Sequence, residues 1–150
     1  MPDNSAPGVR ERLTLRSQLA DLAQVFPWVD ALARQYSIPP QTQFAICLCL
    51  EEALSNIVRH GYKSDPDQSM SVEFRQGGEE ELTFIVEDAA VHFRPFDPDA
   101  PQQPAPANVQ LEKVVPGGQG LRLMRKFADS VAWEPLERGN RLTLIFSVKR

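Results

Sequence analysis

Three groups of residues in this 150-residue chain have types and spacings that could do chemistry. Glu52, Asn56 and His60 in "EEALSNIVRHGY" (Glu51 to Tyr62) recur every four residues, so on a helix they form one stripe. The apolar run "FAICLCL" (Phe44 to Leu50) precedes them and predicts a buried helix. A buried carboxylate costs several kcal/mol unless it is paired or linked to a metal. An amide oxygen and a carboxylate one turn apart can face a hydrated Mg²⁺ and a reacting hydroxyl, since Mg²⁺ takes few protein ligands when phosphates and water supply the rest. The plainer reading puts Glu52 and Asn56 at a solvated helix edge. His60 has a plainer role too, as a favourable charge near a helix C-terminus.

The second group is the glycine cluster Gly117, Gly118 and Gly120, just before the helical pattern "LRLMRKFADS". A glycine-rich turn feeding a helix N-terminus presents backbone N–H groups and the positive end of the helix dipole, which suits phosphate. A hinge between loop and helix is the bland alternative. No Gly-Lys-Ser/Thr follows, so this is not a Walker A loop, and no βαβ unit surrounds it. The third is Asp88, at the end of a strand pattern, whose carboxylate could accept from an exocyclic amino group.

The elements that must position these residues follow from periodicity. Val9 to Leu15 alternates as a half-buried strand. Ser17 is an expected N-cap for a helix carrying Leu19, Leu22, Ala23, Phe26, Val29, Leu32 and Ala33, which Pro27 should kink or split. Pro40 suits the first turn of the next helix, expected over Gln41 to about His60 with Gly61 as C-cap. Met70 to Gln76 and Glu81 to Asp88 are strands joined by Gly77-Gly78, the second apolar enough at its centre to suggest burial on both faces. "VAWEPLE" and "RLTLIFSVK" form a last hairpin around Gly139-Asn140. Between them, Ala89 to Pro116 holds six of the chain's thirteen prolines and no period, the mark of a functional loop such as a lid. The order predicts one α+β domain, a two-layer sandwich with helices on one face of a mainly antiparallel, mixed sheet, preceded by a tail over residues 1–8.

Bulk properties narrow the partners. A net charge of −4 without any basic block argues against nucleic acid or an anionic membrane as the main partner. No apolar run approaches a transmembrane length, and the N-terminus carries no apolar signal segment, so a cytoplasmic location is the expectation. Cys47 and Cys49 read as small buried thiols and not as a zinc pair.

Taken in this order, the pieces resemble the GHKL-type (Bergerat) ATPase fold, and within it the bacterial anti-sigma-factor serine/threonine kinases, from about Val9 to Arg150. "EEALSNIVRHGY" resembles that family's N-box, "VEDAAVHF" its Asp-x-Gly box, "GGQGLRLMRKFAD" its second glycine box and "NRLTLIF" its closing strand. The resemblance implies Mg-ATP as cofactor, with Asn56 coordinating Mg²⁺ and Glu52 as catalytic base. It implies that Asp88 binds the adenine amino group, that Ala90 lies beside the base, and that Gly117, Gly118 and Gly120 wrap the phosphates under a lid over residues 89–116. Thr143 is expected near the adenine. It further implies a kinase and switch that binds a sigma factor and phosphorylates a STAS-domain antagonist, with homodimers possible. The alternative is a non-catalytic or nucleotide-sensing module that only holds a partner. Its motive is Ala90, which replaces the family's glycine, adds a methyl group and disfavours positive φ.

Overall fold

The computed structural model describes residues 10–62, 65, 67–78, 80–90 and 118–148. The expected N-terminal tail and nearly all of the expected lid, with Gly117, lie outside these. The chain runs through β1 (Arg10–Arg16), a 3₁₀ turn (Leu19–Gln24), α1 (Val25–Tyr36), α2 (Pro40–Asn56) and a π-helical turn (Ile57–Gly61). It continues through β2 (Ser69–Gln76), β3 (Glu81–Asp88), α3 (Gly118–Phe127), β4 (Ser130–Pro135) and β5 (Asn140–Ser147). The strands form one sheet in the order β1-β2-β3-β5-β4, and every neighbouring pair is antiparallel. The architecture is α+β as expected, but the sheet is wholly antiparallel and not mixed.

Period-two alternation decides what each strand face does. Leu15, Met70, Val72, Phe74, Leu82, Phe84, Val86, Leu142, Leu144 and Phe146 point to one face and are buried with the helices. Phe84 sits at the middle of this layer, with ring centroids 5.2 Å from Phe74, 6.0 Å from Phe146 and 6.1 Å from Trp28. Strand β3 is therefore half-buried and not covered on both faces, since Thr83 and Ile85 point the other way and keep partial exposure. That opposite face carries ion pairs instead, among them Arg12–Glu73 at 3.8 Å and Arg141–Glu87 at 2.6 Å. Surface pairs of this kind contribute little each.

The first helical segment breaks earlier than Pro27 suggests. The 3₁₀ turn ends at Gln24, and Pro27 falls in the first turn of α1, where its missing N–H costs no hydrogen bond. Ser17 does not cap that segment. It is buried, its hydroxyl donates to the Asp65 carbonyl and accepts from Gln68 N–H at 3.1 Å, and so it joins the end of β1 to the approach to β2. Helix α2 starts at Pro40, one residue before the expected start, and packs against both α1 and α3. Its last turn is π-helical, with Tyr62 N–H bonded to the Ile57 carbonyl at 2.8 Å, so the helical run closes on Tyr62 and not on Gly61. Gly118 and Gly120 lie inside the first turn of α3 and not ahead of it. No helix among the described residues is long and apolar enough to cross a membrane.

Candidate functional site

Helix α2 delivers two of the three stripe residues to one place. Glu52 is half-buried and Asn56 is 5% exposed, and both line a cleft of about 430 Å³. Its other walls are the 3₁₀ turn and the start of α1, from Leu19 to Phe26, with Glu51, Ser55 and Arg59 from the α2 run. His60 falls in the π-helical turn and does not line this cleft. Burial raises the Glu52 carboxyl above its ordinary pKa, Glu51 adds to the rise, and Arg59 opposes it. A carboxyl shifted upward is a stronger proton acceptor, which suits a base.

Asn56 Nδ2 is buried without a hydrogen-bond partner. An orphaned buried amide costs about 1–3 kcal/mol. The fold carries that cost at a position walled by a half-buried carboxylate. A side-chain amide offers two donors on one atom and an acceptor on the other, and an oxygen turned into the cleft is a hard ligand of the kind Mg²⁺ takes. The amide oxygen of Asn56 and the carboxylate of Glu52, both on this cleft, are the hard donors that fit a Mg²⁺ with few protein ligands.

Asp88 ends β3 on the helix-covered face and anchors a tight corner. Its Oδ1 accepts from Ala90 N–H at 2.8 Å and from Asn140 Nδ2 at 2.9 Å. The first bond is an Asx turn, the usual way an Asp redirects the chain after a strand. Burial raises the Asp88 carboxyl above its ordinary value, the bonds from Asn140 and Ala90 lower it, and Glu87 raises it further. Both bonds use one oxygen, so Oδ2 is left as an acceptor. Ala90 is buried, and among the described residues the only non-glycine with positive φ is Ser37. The alanine is thus compatible with its backbone, and the φ conflict expected from the missing glycine does not arise.

Thr143 is not brought to Asp88. It pairs with Ile85 across β3 and with Ala132 across β4, on the face away from the helices. The β5 residue opposite Asp88 is Asn140, which is buried. Gly139-Asn140 is not a two-residue turn either. Leu136 N–H bonds the Gly139 carbonyl at 2.9 Å, and Asn140 is already the first residue of β5. Alternation carries this signal, since Leu142, Leu144 and Phe146 share a face that must also take position 140. A second residue the motifs did not single out is Tyr62, whose hydroxyl accepts from Ala89 N–H at 2.6 Å and donates to the Ser69 carbonyl at 2.8 Å.

Among the described residues, Asp88 does not line the cleft of Glu52 and Asn56; the recess it borders opens on the sheet face away from the helices, beside Arg12, Thr14, Ser71 and Glu87. Gly118 and Gly120 have their backbone at the start of α3, whose far end packs beside α2, while Gly117 lies outside the described residues.

Comparison with known proteins bears on the family and the fold. The chain is 31% identical over 117 residues to the serine/threonine-protein kinase BtrW of Bordetella bronchiseptica (strain ATCC BAA-588 / NCTC 13252 / RB50), covering 78% of this chain and 79% of that protein. Its fold is similar to the crystal structure of the RsbU and RsbW domains of Rv1364c from Mycobacterium tuberculosis. There the TM-score is 0.67 at 16% identity, over 96% of this chain, which spans 34% of that longer one. Residues 15–146 match the family described as the histidine kinase-like ATPase domain, and the chain belongs to that family.

Proposed function

We propose that this chain is an ATP-dependent serine kinase of the anti-sigma-factor type, which transfers phosphate to a STAS-domain antagonist and also holds a sigma factor. The observation that carries the kinase reading is the pairing of a buried, unpartnered Asn56 amide with a half-buried Glu52 carboxylate in one open cleft. Asn56 would hold Mg²⁺, which when bound neutralises phosphate charge. Glu52 would take the proton from an incoming serine hydroxyl, whose oxygen would bond to the γ-phosphorus of ATP as its bond to the bridging oxygen breaks and ADP leaves. Asp88, held in place by Asn140 and Ala90, would accept from the adenine amino group. Gly118 and Gly120 at the start of α3 would offer backbone N–H groups to the phosphates, and the resemblance adds Gly117 to them. Phosphoryl transfer asks mainly for positioning and charge neutralisation, and these residues offer both. The sigma factor and the antagonist are drawn from the resemblance to the anti-sigma-factor kinases, as is a possible homodimer.

The rival, a partner-binding module without catalysis, took its motive from Ala90, and the ordinary backbone of Ala90 weakens that motive. The test is direct. Mg-ATP should raise the melting temperature of the purified chain by mass action, and label from the γ-phosphate should appear on a purified STAS-domain protein. Absence of any thermal shift at millimolar Mg-ATP overturns the nucleotide reading. A shift without transfer returns the rival.

A further inference from the structure

We propose that Tyr62 is a positioning residue of the nucleotide site, fixing the corner on which the Asp88 carboxylate is mounted. The inference rests on reading Asp88 as the acceptor for the adenine amino group. Asp88 pairs with Met70, so the next rung of the β2–β3 ladder would join Ser69 and Ala89. The phenol oxygen of Tyr62 stands in that rung instead. It donates to the Ser69 carbonyl at 2.8 Å and accepts the Ala89 N–H at 2.6 Å. The two strands are thus tied together through a side chain at the point where β3 must diverge.

The π-helical turn explains how Tyr62 arrives there. An α-helix advances about 100° per residue. One extra residue in the closing turn swings all that follows by roughly that amount, and π turns recur where a helix serves a site. Tyr62 N–H closes this wider turn on the Ile57 carbonyl at 2.8 Å. Tyr62 lies six residues after Asn56, so the helix carrying Glu52 and Asn56 ends in the side chain that holds the Asp88 corner. Asn56 lines the cleft and the Tyr62 phenol holds the Ala89 N–H beside Asp88, so one helical run supports both positions.

The rest of the corner is also pinned. Ala90 N–H is taken by Asp88 Oδ1, and Asn140 Nδ2 holds the same oxygen. From the turn between β4 and β5, Gly139 lies so close that a Cβ there would stand 1.7 Å from the Asp88 carbonyl oxygen. Ala89 N–H is the one corner amide held by neither Asp88 nor Asn140. Burial and the neighbouring Asp88 carboxylate push the phenol pKa up, against the bond from Ala89, so the hydroxyl keeps the proton it donates to Ser69.

The test compares the wild-type chain with Tyr62→Phe, which keeps the ring and removes the oxygen. We expect the Kd for Mg-ATP to rise about tenfold by calorimetry. With a purified STAS-domain protein as acceptor, KM for ATP should rise while kcat at saturation stays near wild type. The preference for ATP over GTP should narrow, which general loosening of the fold would not produce. Equal ATP affinity in both proteins overturns the role of Tyr62 and leaves the nucleotide reading standing. No ATP binding by the wild type overturns the nucleotide reading, and this proposal with it. Should Tyr62→Phe fold poorly, hydrogen exchange on the wild-type apo chain decides. Ala89 N–H must then exchange far more slowly than a solvent-exposed amide, and free exchange there overturns the proposal.

Discussion

On the proposed reading Glu52, Asn56 and Asp88 would divide the chemistry by environment, and each makes a separable expectation. Glu52→Gln should keep Mg-ATP affinity within about twofold while removing phosphotransfer by a factor on the order of 10² to 10⁴, the usual worth of a positioned base. Transfer at the wild-type rate would show that Glu52 is not that base. Asn56→Ala should instead weaken nucleotide binding in Mg²⁺ and leave little effect when the metal is chelated. Asp88 has a sign that can be worked through. Its carboxyl is raised above the ordinary value of 3.8 mainly by burial. The ionised form is therefore the costly one in the folded chain, and the stability gained from protonation is lost as pH rises through the shifted value. The adenine amino group needs the ionised acceptor, so ATP affinity should fall as pH drops through the same window above 3.8. Asp88→Asn keeps an oxygen for Ala90 and Asn140 but turns a donor toward the base. Apo stability at neutral pH should hold or rise while ATP affinity falls by about a hundredfold. Thermal melts and titrations across pH measure both arms, and a parallel loss of stability and affinity would refute the split.

At the level of elements, the strands are legible from period two, and so is the buried face of β2 and β5, whereas the apolar centre of β3 suggests two covered faces where one is covered. The apolar alternations in Met70 to Gln76 and Arg141 to Val148 specify which side faces the helices. What sequence could not give was where neighbours end. The π-helical turn depends on Tyr62 finding Ser69 and Ala89, residues seven and twenty-seven positions away. Ser17 looked like a cap from its place before a helical pattern, yet tertiary bonds to Asp65 and Gln68 claim it. The resemblance of the closing strand implies Thr143 near the adenine, whereas the register of β3 and β5 sets Asn140 opposite Asp88 and turns Thr143 to the other face. This makes a contrast that mutagenesis can read. Asn140→Ala should lower ATP affinity about tenfold by removing a hydrogen bond to a charged group. Thr143→Ala should change it by less than about twofold, and a larger effect of Thr143 would contradict the side-chain alternation of β5.

At the scale of the molecule, one aromatic layer joins sheet to helices. Phe84→Ala should destabilise the chain by about 3–5 kcal/mol, because Phe74, Phe146 and Trp28 cannot all collapse into the space left. Chemical denaturation would show it, and a loss under about 1 kcal/mol would mean the layer is looser than its contacts imply. The candidate site was legible as motif but not as assembly, since Glu52, Asp88 and Asn140 are distant in sequence and only the sheet order brings the last two together. The two hairpin turns of this sheet lie at its opposite ends, and they differ in what they can absorb. A Cβ on Gly78 would meet nothing within 4 Å, whereas one on Gly139 would strike the Asp88 carbonyl. A peptide tag inserted after Gly78 should therefore pass unnoticed by the nucleotide site, while the same tag before Gly139 should disable it. The turn at Gly78 has room for a longer loop and the turn at Gly139 has none, so the length of the β4–β5 connection is set by the Asp88 corner it packs against.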